Sequence, residues 1–286
     1  MQYFRRLLYL VKQINDRKNS LVVKYVIFFV MKKNILVFTA LFLCLISFQG
    51  MSQNKSKVIA HRGAWKNTGA TENSIAALEH AIKLGCYGSE FDVHMSADSV
   101  LFVNHDHTIK GTDIEKATSQ ELSQIKLGNG ETLPTLEAYL KAGAKQKKTR
   151  LILEIKTSRI SKERSLALAT KCVEMVKALK VEKITDYIAF DFDVCLKVKE
   201  IAPKAHVEYL NGDKTPAEIL AAGLSGIDYH YSVYKKNETY IDDMHKEKLT
   251  TNAWTVNDKS TMQWFIDKKV DFITTNEPEQ LFELLK

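Results

Sequence analysis

From residue 58 onward the chain alternates short apolar, β-branched runs with longer segments of helical period, and it does so eight times. The strand-like runs are 58–60, 89–93, 151–155, 187–190, 206–210, 226–229, 251–256 and 271–275. The helix-like segments are 74–84, 135–142, 162–179, 194–201, 216–222, 240–247, 260–268 and 278–285. Several helices open on capping or proline signals: Asn73 ahead of Ser74, Thr215-Pro216, and Glu277-Pro278. An eightfold strand-to-helix alternation in one domain predicts an α/β chain folded as a (β/α)8 TIM barrel, with its chemistry at the carboxyl ends of the strands. A doubly wound open sheet leaves a similar pattern and stays as the alternative.

One segment departs from the rhythm. After the second strand the chain reads SEFDVHMSADSVLFVNHDH over 89–107, two alternating runs joined too tightly for a parallel crossover. The pattern predicts a β-hairpin insertion after strand 2. With Asp98-Ser99 as a two-residue turn, Ala97 would face Val100 and Asp92 would face His105. Glu90, Asp92 and His105 would then share one face of the ribbon.

The first 52 residues differ in kind. Met31 precedes Lys32 and Lys33, an apolar run over 35–48, and small or polar residues through Ser52. That order matches a secretory signal, and a run of 14 residues falls short of the ~20 that span a bilayer. The expectation is a leader over 1–52, with the start at Met31, and a single catalytic domain over 53–286 that is secreted or periplasmic. An uncleaved anchor built from the runs 21–30 and 35–48 is the alternative. Cys44 makes a poor lipoprotein acceptor because bulky Leu43 precedes it.

The net charge of +7 belongs to this leader. Through Ser52 there are eight Lys or Arg and one acidic residue, which leaves 33 of each sign beyond it, so the mature part is neutral and nucleic acid is not an expected partner. Nor does the mature domain call for stable membrane insertion. Cys86, Cys172 and Cys195 are its thiols. They read as buried small hydrophobes, with one disulfide as the alternative.

The strand ends collect an unusual set of side chains: His61-Arg62, Glu90 with Asp92, Glu154 with Lys156, Trp254 with Asn257, and Asn276, joined by His105 from the hairpin. A glutamate inside the apolar run LILEIK is costly in a packed barrel unless its charge is compensated. A bound cation does this for Glu90, Asp92 and Glu154 together. Three carboxylates without thiols favour a hard ion, Ca2+ or Mg2+. A plain ion network of Glu154 with Lys156 or Arg62 is the competing account. His61 and His105 suit proton transfer near neutral pH. Arg62 offers a planar fork and Lys156 a compact charge to phosphate oxygens. His80, His107, His206, His230 and His245 read as ordinary structural residues; His94 shares the parity of Asp92 and is less easily placed.

These residues resemble the glycerophosphodiester phosphodiesterase family, a branch of the phospholipase C-like phosphodiesterase barrels. The matching stretches are AHRG (60–63), ENS (72–74), EFDVHMSADSVLFVNHD (90–106), LPTLEAYL (133–140), LILEIK (151–156), AWTVN (253–257) and ITTNEP (273–278), in family order across nearly the whole chain after Lys57. The resemblance implies metal-dependent hydrolysis of a small-molecule glycerophosphodiester to glycerol 3-phosphate and an alcohol. It implies Glu90, Asp92 and Glu154 as metal ligands, His61 and His105 as the acid-base pair, and Arg62 and Lys156 as phosphate binders. Glu72 would orient the charged cluster and Trp254 would line the glycerol side. His94 stands where the family often has glutamine, the triplet 110–112 replaces a common arginine-threonine pair, and Asn276 replaces an aspartate. Attack by the substrate's own hydroxyl, giving a cyclic phosphate, and direct attack by water both fit. Two other functions remain in view: a phosphodiesterase acting on intact phospholipid, for which Tyr229, Tyr231 and Tyr234 would supply an aromatic rim, and a barrel that binds phosphodiesters without turnover.

Overall fold

The structure is a computed structural model and describes residues 55–286. The leader reading, with Met31, Cys44 and the two apolar runs, lies outside the described residues. The described strands are β1 (Lys57–Ala60), β2 (Gly88–Met95), β3 (Leu101–Val103), β4 (Thr108–Ile109), β5 (Thr112–Asp113), β6 (Arg150–Ile155), β7 (Thr185–Ala189), β8 (Val207–Tyr209), β9 (Gly226–His230), β10 (Thr250–Trp254) and β11 (Phe272–Thr275). The helices are α1 (Ile75–Leu84), α2 (Ser119–Leu122), α3 (Leu136–Gly143), α4 (Lys162–Ala178), α5 (Phe192–Ile201), α6 (Pro216–Ala221), α7 (Tyr231–Lys236), α8 (Tyr240–Lys246), α9 (Lys259–Asp267) and α10 (Pro278–Leu284).

Eight of the strands form one parallel ring: β1, β2, β6, β7, β8, β9, β10 and β11 pair in that order, and β1 closes it by pairing with both β11 and β2. Closure rules out the open doubly wound sheet. The strand sequences show why two faces are apolar. Outward residues such as Val58, Phe91, Leu153, Tyr187, Ile227 and Ile273 pack under the helices in the main core. Inward Ile59, Ile152, Ile188, Leu210 and Phe272 fill the barrel itself. Above that apolar plug, the inward positions turn acidic, and those are the strand ends singled out from the sequence.

Helix starts follow local chemistry. Thr215 and Glu218 form a reciprocal capping box ahead of α6, and Asp258 caps α9. At α1 the cap is Ser74, whose side chain accepts from the Ala77 N–H at 3.0 Å, and not Asn73. Asn73 is free for other use, as described below. The three cysteines are buried and unpaired, as small core residues.

The hairpin forms, but its register is one residue away from the expected one. Val93 pairs with Val103 and Met95 with Leu101, so Asp92 stands opposite Asn104 and not His105. The cause is the turn. Residues 97–99 make a three-residue loop in which Ser99 adopts the left-handed conformation (φ 68°), the geometry of a three-residue hairpin rather than a two-residue one. A second difference is α7, a short helix directly after β9 that strand periodicity does not announce. It draws Tyr234 into the core, where its hydroxyl donates to the Asn252 carbonyl at 2.6 Å; Tyr229 is likewise fully buried. Two of the three tyrosines that an aromatic rim requires are therefore interior.

No helix among the described residues is long and apolar enough to cross a membrane. Away from the strand ends, His245 donates from Nε2 to Asp271 Oδ2 at 2.9 Å, tying α8 to the start of β11. This bond raises the pKa of His245 above its ordinary 6.5. Burial alone would raise the Asp271 pKa, but the bonds from His245 and Thr251 outweigh it and hold it below 3.8. The histidine contribution is complete below about pH 6.5 and disappears as pH rises through its higher folded value; the aspartate contribution disappears as pH falls below about 4. Thermal melts of wild type and His245→Gln are therefore expected to differ most near pH 5–6, by about 1–3 °C, and to converge by pH 9.

Candidate active site

The site grows from the ends of β1, β2 and β6. Beyond Ala60 the chain leaves the barrel: the His61 N–H still bonds the Thr275 carbonyl at 2.9 Å, and Arg62 then takes a left-handed conformation (φ 57°). Gly63 follows at φ 80°, pressed so closely against α1 that a Cβ there would lie 2.7 Å from the Ala77 backbone. Only glycine fits. This sharp exit turns the Arg62 N–H onto Glu90 Oε2 at 2.8 Å and its guanidinium onto Glu72 Oε2 at 3.0 Å. The Arg62 Nε is buried and has no hydrogen-bond partner, a donor left over for an anion.

Glu90 and Asp92 alternate on the inner face of β2, and Glu154 lies beside Asp92 in the neighbouring register of β6. All three are buried, at 3 %, 1 % and 7 % exposure, and each offers an oxygen within 4.8 Å of the others. Asp92 has compensation. Its carboxylate accepts from Lys156 Nζ at 3.1 Å and from Asn73 Nδ2 at 2.8 Å, and although burial opposes it, Lys156, His105 and Asn73 together hold its pKa well below the usual range. The other two have less. Burial first, then the neighbouring carboxylates, push the Glu90 pKa well up, and burial with Asp92 raises Glu154 to about 7. Glu90 Oε1 and Glu154 Oε1 lack a hydrogen bond of proper geometry, although Lys156 Nζ sits 2.7 Å from the latter as an ion contact. Lys156 and the Arg62 guanidinium, whose Nε lies 4.0 Å from Asp92 Oδ2 and which Glu72 shares, do not balance three acids. This donor set, all oxygen, convergent and short of positive charge, fits a divalent hard cation.

The two expected histidines flank this cluster and line one cavity of about 200 Å3 with Arg62, Glu90 and Glu154. His61 Nδ1 donates to Asn276 Oδ1 at 2.8 Å, leaving Nε2 as the acceptor, 4.0 Å from Glu90. Burial, reinforced by Arg62, lowers the His61 pKa to about 4, so the ring is neutral at pH 7. His105 reaches the cavity by a route the hairpin register does not anticipate. β3 ends at Val103, the Asn104 N–H bonds the Asp92 carbonyl at 3.0 Å, and the Asn104 side chain donates to the Asp106 carbonyl at 2.7 Å, curling the chain back over the barrel mouth. His94, fully inside, donates from Nε2 to the His105 carbonyl at 3.1 Å and fixes that curl. His105 Nδ1 in turn meets Asp106 Oδ1 at 2.7 Å.

The far wall is apolar. Ile188, Phe190 and Leu210 line it with Trp254, whose Nε1 donates to the Asp228 carbonyl at 2.9 Å. The structure brings all nine residues expected at the site together: seven lie in or beside the carboxylate cluster, Glu72 bonds Arg62, and Trp254 forms part of the opposite wall. Sequence reasoning missed Asn73, Asn104, Asp106 and Asp228. Asn73 carried a signal, since a residue before a serine cap has its side chain to spare. Asp228 carried one too, an acid at the inner parity of GIDYH, the same anomaly as glutamate in LILEIK. Burial, then Glu208 and Glu154, push its pKa well above the usual carboxylate range.

Comparison with known proteins agrees with this geometry. The sequence pattern of the "Glycerophosphoryl diester phosphodiesterase family" matches residues 61–280. A glycerophosphodiester phosphodiesterase of Caldanaerobacter subterraneus subsp. tengcongensis is 30% identical over 247 residues, covering 81% of this chain and 98% of its own. The crystal structure of a glycerophosphodiester phosphodiesterase from Parabacteroides distasonis superposes with a TM-score of 0.80 at 46% identity, over 82% of this chain and 98% of that one. An Oleispira antarctica phosphodiesterase, solved in complex with the product sn-glycerol-3-phosphate, shares the fold at 23% identity and a TM-score of 0.69, over 80% of this chain and 96% of that one. The chain belongs to the glycerophosphoryl diester phosphodiesterase family, enzymes that hydrolyse phosphoric diesters.

Proposed function

We propose that this enzyme converts glycerophosphodiesters to glycerol 3-phosphate and an alcohol with a Ca2+ or Mg2+ ion at Glu90, Asp92 and Glu154 and with His61 and His105 as its proton-transfer pair. The observation that carries the reading is the buried carboxylate triad, short of positive charge, beside an unpartnered Arg62 Nε and two imidazoles in one cavity. The ion, when bound, supplies positive charge for the phosphoryl oxygens and the developing transition state.

The chain's own groups divide the remaining work. Arg62 and Lys156 present donors to the phosphate and hold it at the barrel mouth. Glu72 fixes the Arg62 guanidinium, and Asn73 fixes Asp92. His61, neutral and hydrogen-bonded at Nδ1 to an uncharged amide, takes a proton at Nε2 from the attacking hydroxyl. His105, oriented at Nδ1 by the Asp106 carboxylate, delivers a proton to the departing alkoxide from Nε2. One P–O bond forms as the other breaks: attack by water gives glycerol 3-phosphate directly, whereas attack by the substrate's own hydroxyl gives a cyclic phosphate that water then opens, with the two proton transfers reversed. The cavity is below the roughly 300–1,000 Å3 of drug-sized ligand sites, a size that favours a glycerol headgroup over acyl chains. With the leader read as a secretory signal, the reaction takes place outside the cytoplasm, by a domain beginning near residue 53 and acting on deacylated phospholipid headgroups.

Chelation of the purified enzyme is expected to abolish glycerol 3-phosphate release from glycerophosphocholine, and returned Ca2+ or Mg2+ to restore it; turnover that persists in chelator refutes the metal assignment. His61→Ala and His105→Ala are each expected to lower kcat by about 10²–10⁴-fold while circular dichroism and melting temperature stay near wild type. An alanine variant at either position with undiminished turnover removes that residue from proton transfer.

A further inference from the structure

One group in the cavity takes no part in metal binding, phosphate binding or proton transfer as described: Asp228. It projects from the inner face of β9 into the pocket at 1 % exposure, and its Oδ1 is buried without a hydrogen-bond partner. Its neighbours explain why nothing inside the protein takes that oxygen. The Trp254 indole N–H is bonded to the Asp228 backbone carbonyl, not to its side chain. Across the β9–β10 register, the Asn252 amide faces the Asp228 carboxyl and steadies it while also exchanging hydrogen bonds with Thr274 at 3.0 and 3.1 Å, and Oδ1 still has no partner. The charged neighbours of Asp228, Glu208 and Glu154, are carboxylates that offer it no proton donor, and the rest of the wall, Ile188, Phe190, Leu210 and Trp254, has no free donor either.

A buried acceptor in an apolar wall destabilises a fold unless something that visits the cavity meets it. The ligand must carry a phosphoryl group at the Arg62 side and a hydroxyl that reaches the β9 side, with carbon between them facing the apolar residues. We propose that Asp228 is a specificity-determining residue, whose Oδ1 accepts a hydrogen bond from a hydroxyl of the polyol that remains esterified to phosphate. This rests on the reaction proposed above and adds what selects the substrate. An unclaimed carboxyl oxygen accepts such a bond whether the group is protonated or ionised. A site built to bond a hydroxyl rejects the analogue lacking it far more strongly than an apolar pocket rejects an added hydroxyl, because the analogue leaves the acceptor buried and unmet.

The test compares two ligands that differ only in hydroxyls, sn-glycerol 3-phosphate and propyl phosphate, titrated calorimetrically into the full-length metal-loaded enzyme. Wild type is expected to bind the glycerol compound at least about 10-fold more tightly. Asp228→Ala and Asp228→Leu, the second closer to the native side chain in size, are expected to bring the two affinities within about twofold. Asp228→Asn, which keeps an acceptor oxygen, is expected to retain most of the preference. Melting temperatures of all three should equal or exceed wild type, because a buried carboxyl oxygen without a partner has been removed or neutralised. An unchanged preference in Asp228→Ala and Asp228→Leu, or an equal loss of affinity for both ligands, overturns the assignment. Glycerophosphocholine turnover by wild type is followed in parallel. Its absence removes the proposed reaction together with the substrate role of Asp228, whereas turnover combined with an unchanged ligand preference removes the role of Asp228 alone.

Discussion

Mutual repulsion among Glu90, Asp92 and Glu154 organises the upper half of this barrel. Three carboxyl groups with oxygens within 4.8 Å of one another, all out of water, cannot remain ionised together without positive charge. Much of what surrounds them supplies some of it. Lys156 reaches two of the acids from the end of the strand that carries Glu154, the Arg62 N–H points at Glu90, and Asn73 donates to Asp92. The sum still falls short, as the upward pKa shifts of Glu90 and Glu154 record. That deficit is what a bound cation would fill. A cluster neutralised from within would have no affinity left for an ion.

The same deficit explains the strained exit of β1. To aim its backbone N–H at Glu90 and its side chain at Glu72, Arg62 must occupy a left-handed conformation that ordinary residues avoid. Gly63 permits the turn, and the bonds from Ala64 and Asn73 to the neighbouring backbone hold it in place. His-Arg-Gly thus combines three roles in consecutive residues. The first sets an imidazole beside Glu90, the second turns its N–H onto Glu90 and its guanidinium onto Glu72, and the third, having no side chain, lets both face inward.

The ring, its eight strands and the gathering of the nine candidate residues at one end of it were legible because a barrel writes two periodicities into its sequence, and because charge in an apolar strand is an anomaly visible in one dimension. Glu154 inside LILEIK is the clearest instance. What was not legible depended on geometry that letters do not encode. The turn at 97–99 uses three residues because Ser99 accepts a positive φ, and no composition rule separates that from a two-residue turn at Asp98-Ser99. His105 still arrives at the cavity, for a different reason: the chain leaves β3 at Val103 and Asn104 curls it back. Asn73 resembles a helix cap in sequence because serine and asparagine are both good caps, and only the structure shows which of them the Ala77 N–H selects. Asp228 in GIDYH carries the same mark as Glu154, and only the structure shows that it faces the same cavity.

The three thiols lead to a different kind of consequence. Cys86, Cys172 and Cys195 are buried and separate; burial lifts the Cys86 pKa to about 12 and pushes those of the other two higher still. Thiolate, the reactive form, is therefore vanishingly scarce in the native state. Among the described residues, then, no disulfide has to form for the barrel to close, and no thiol is offered for exchange. Its cohesion comes from packing and hydrogen bonds alone.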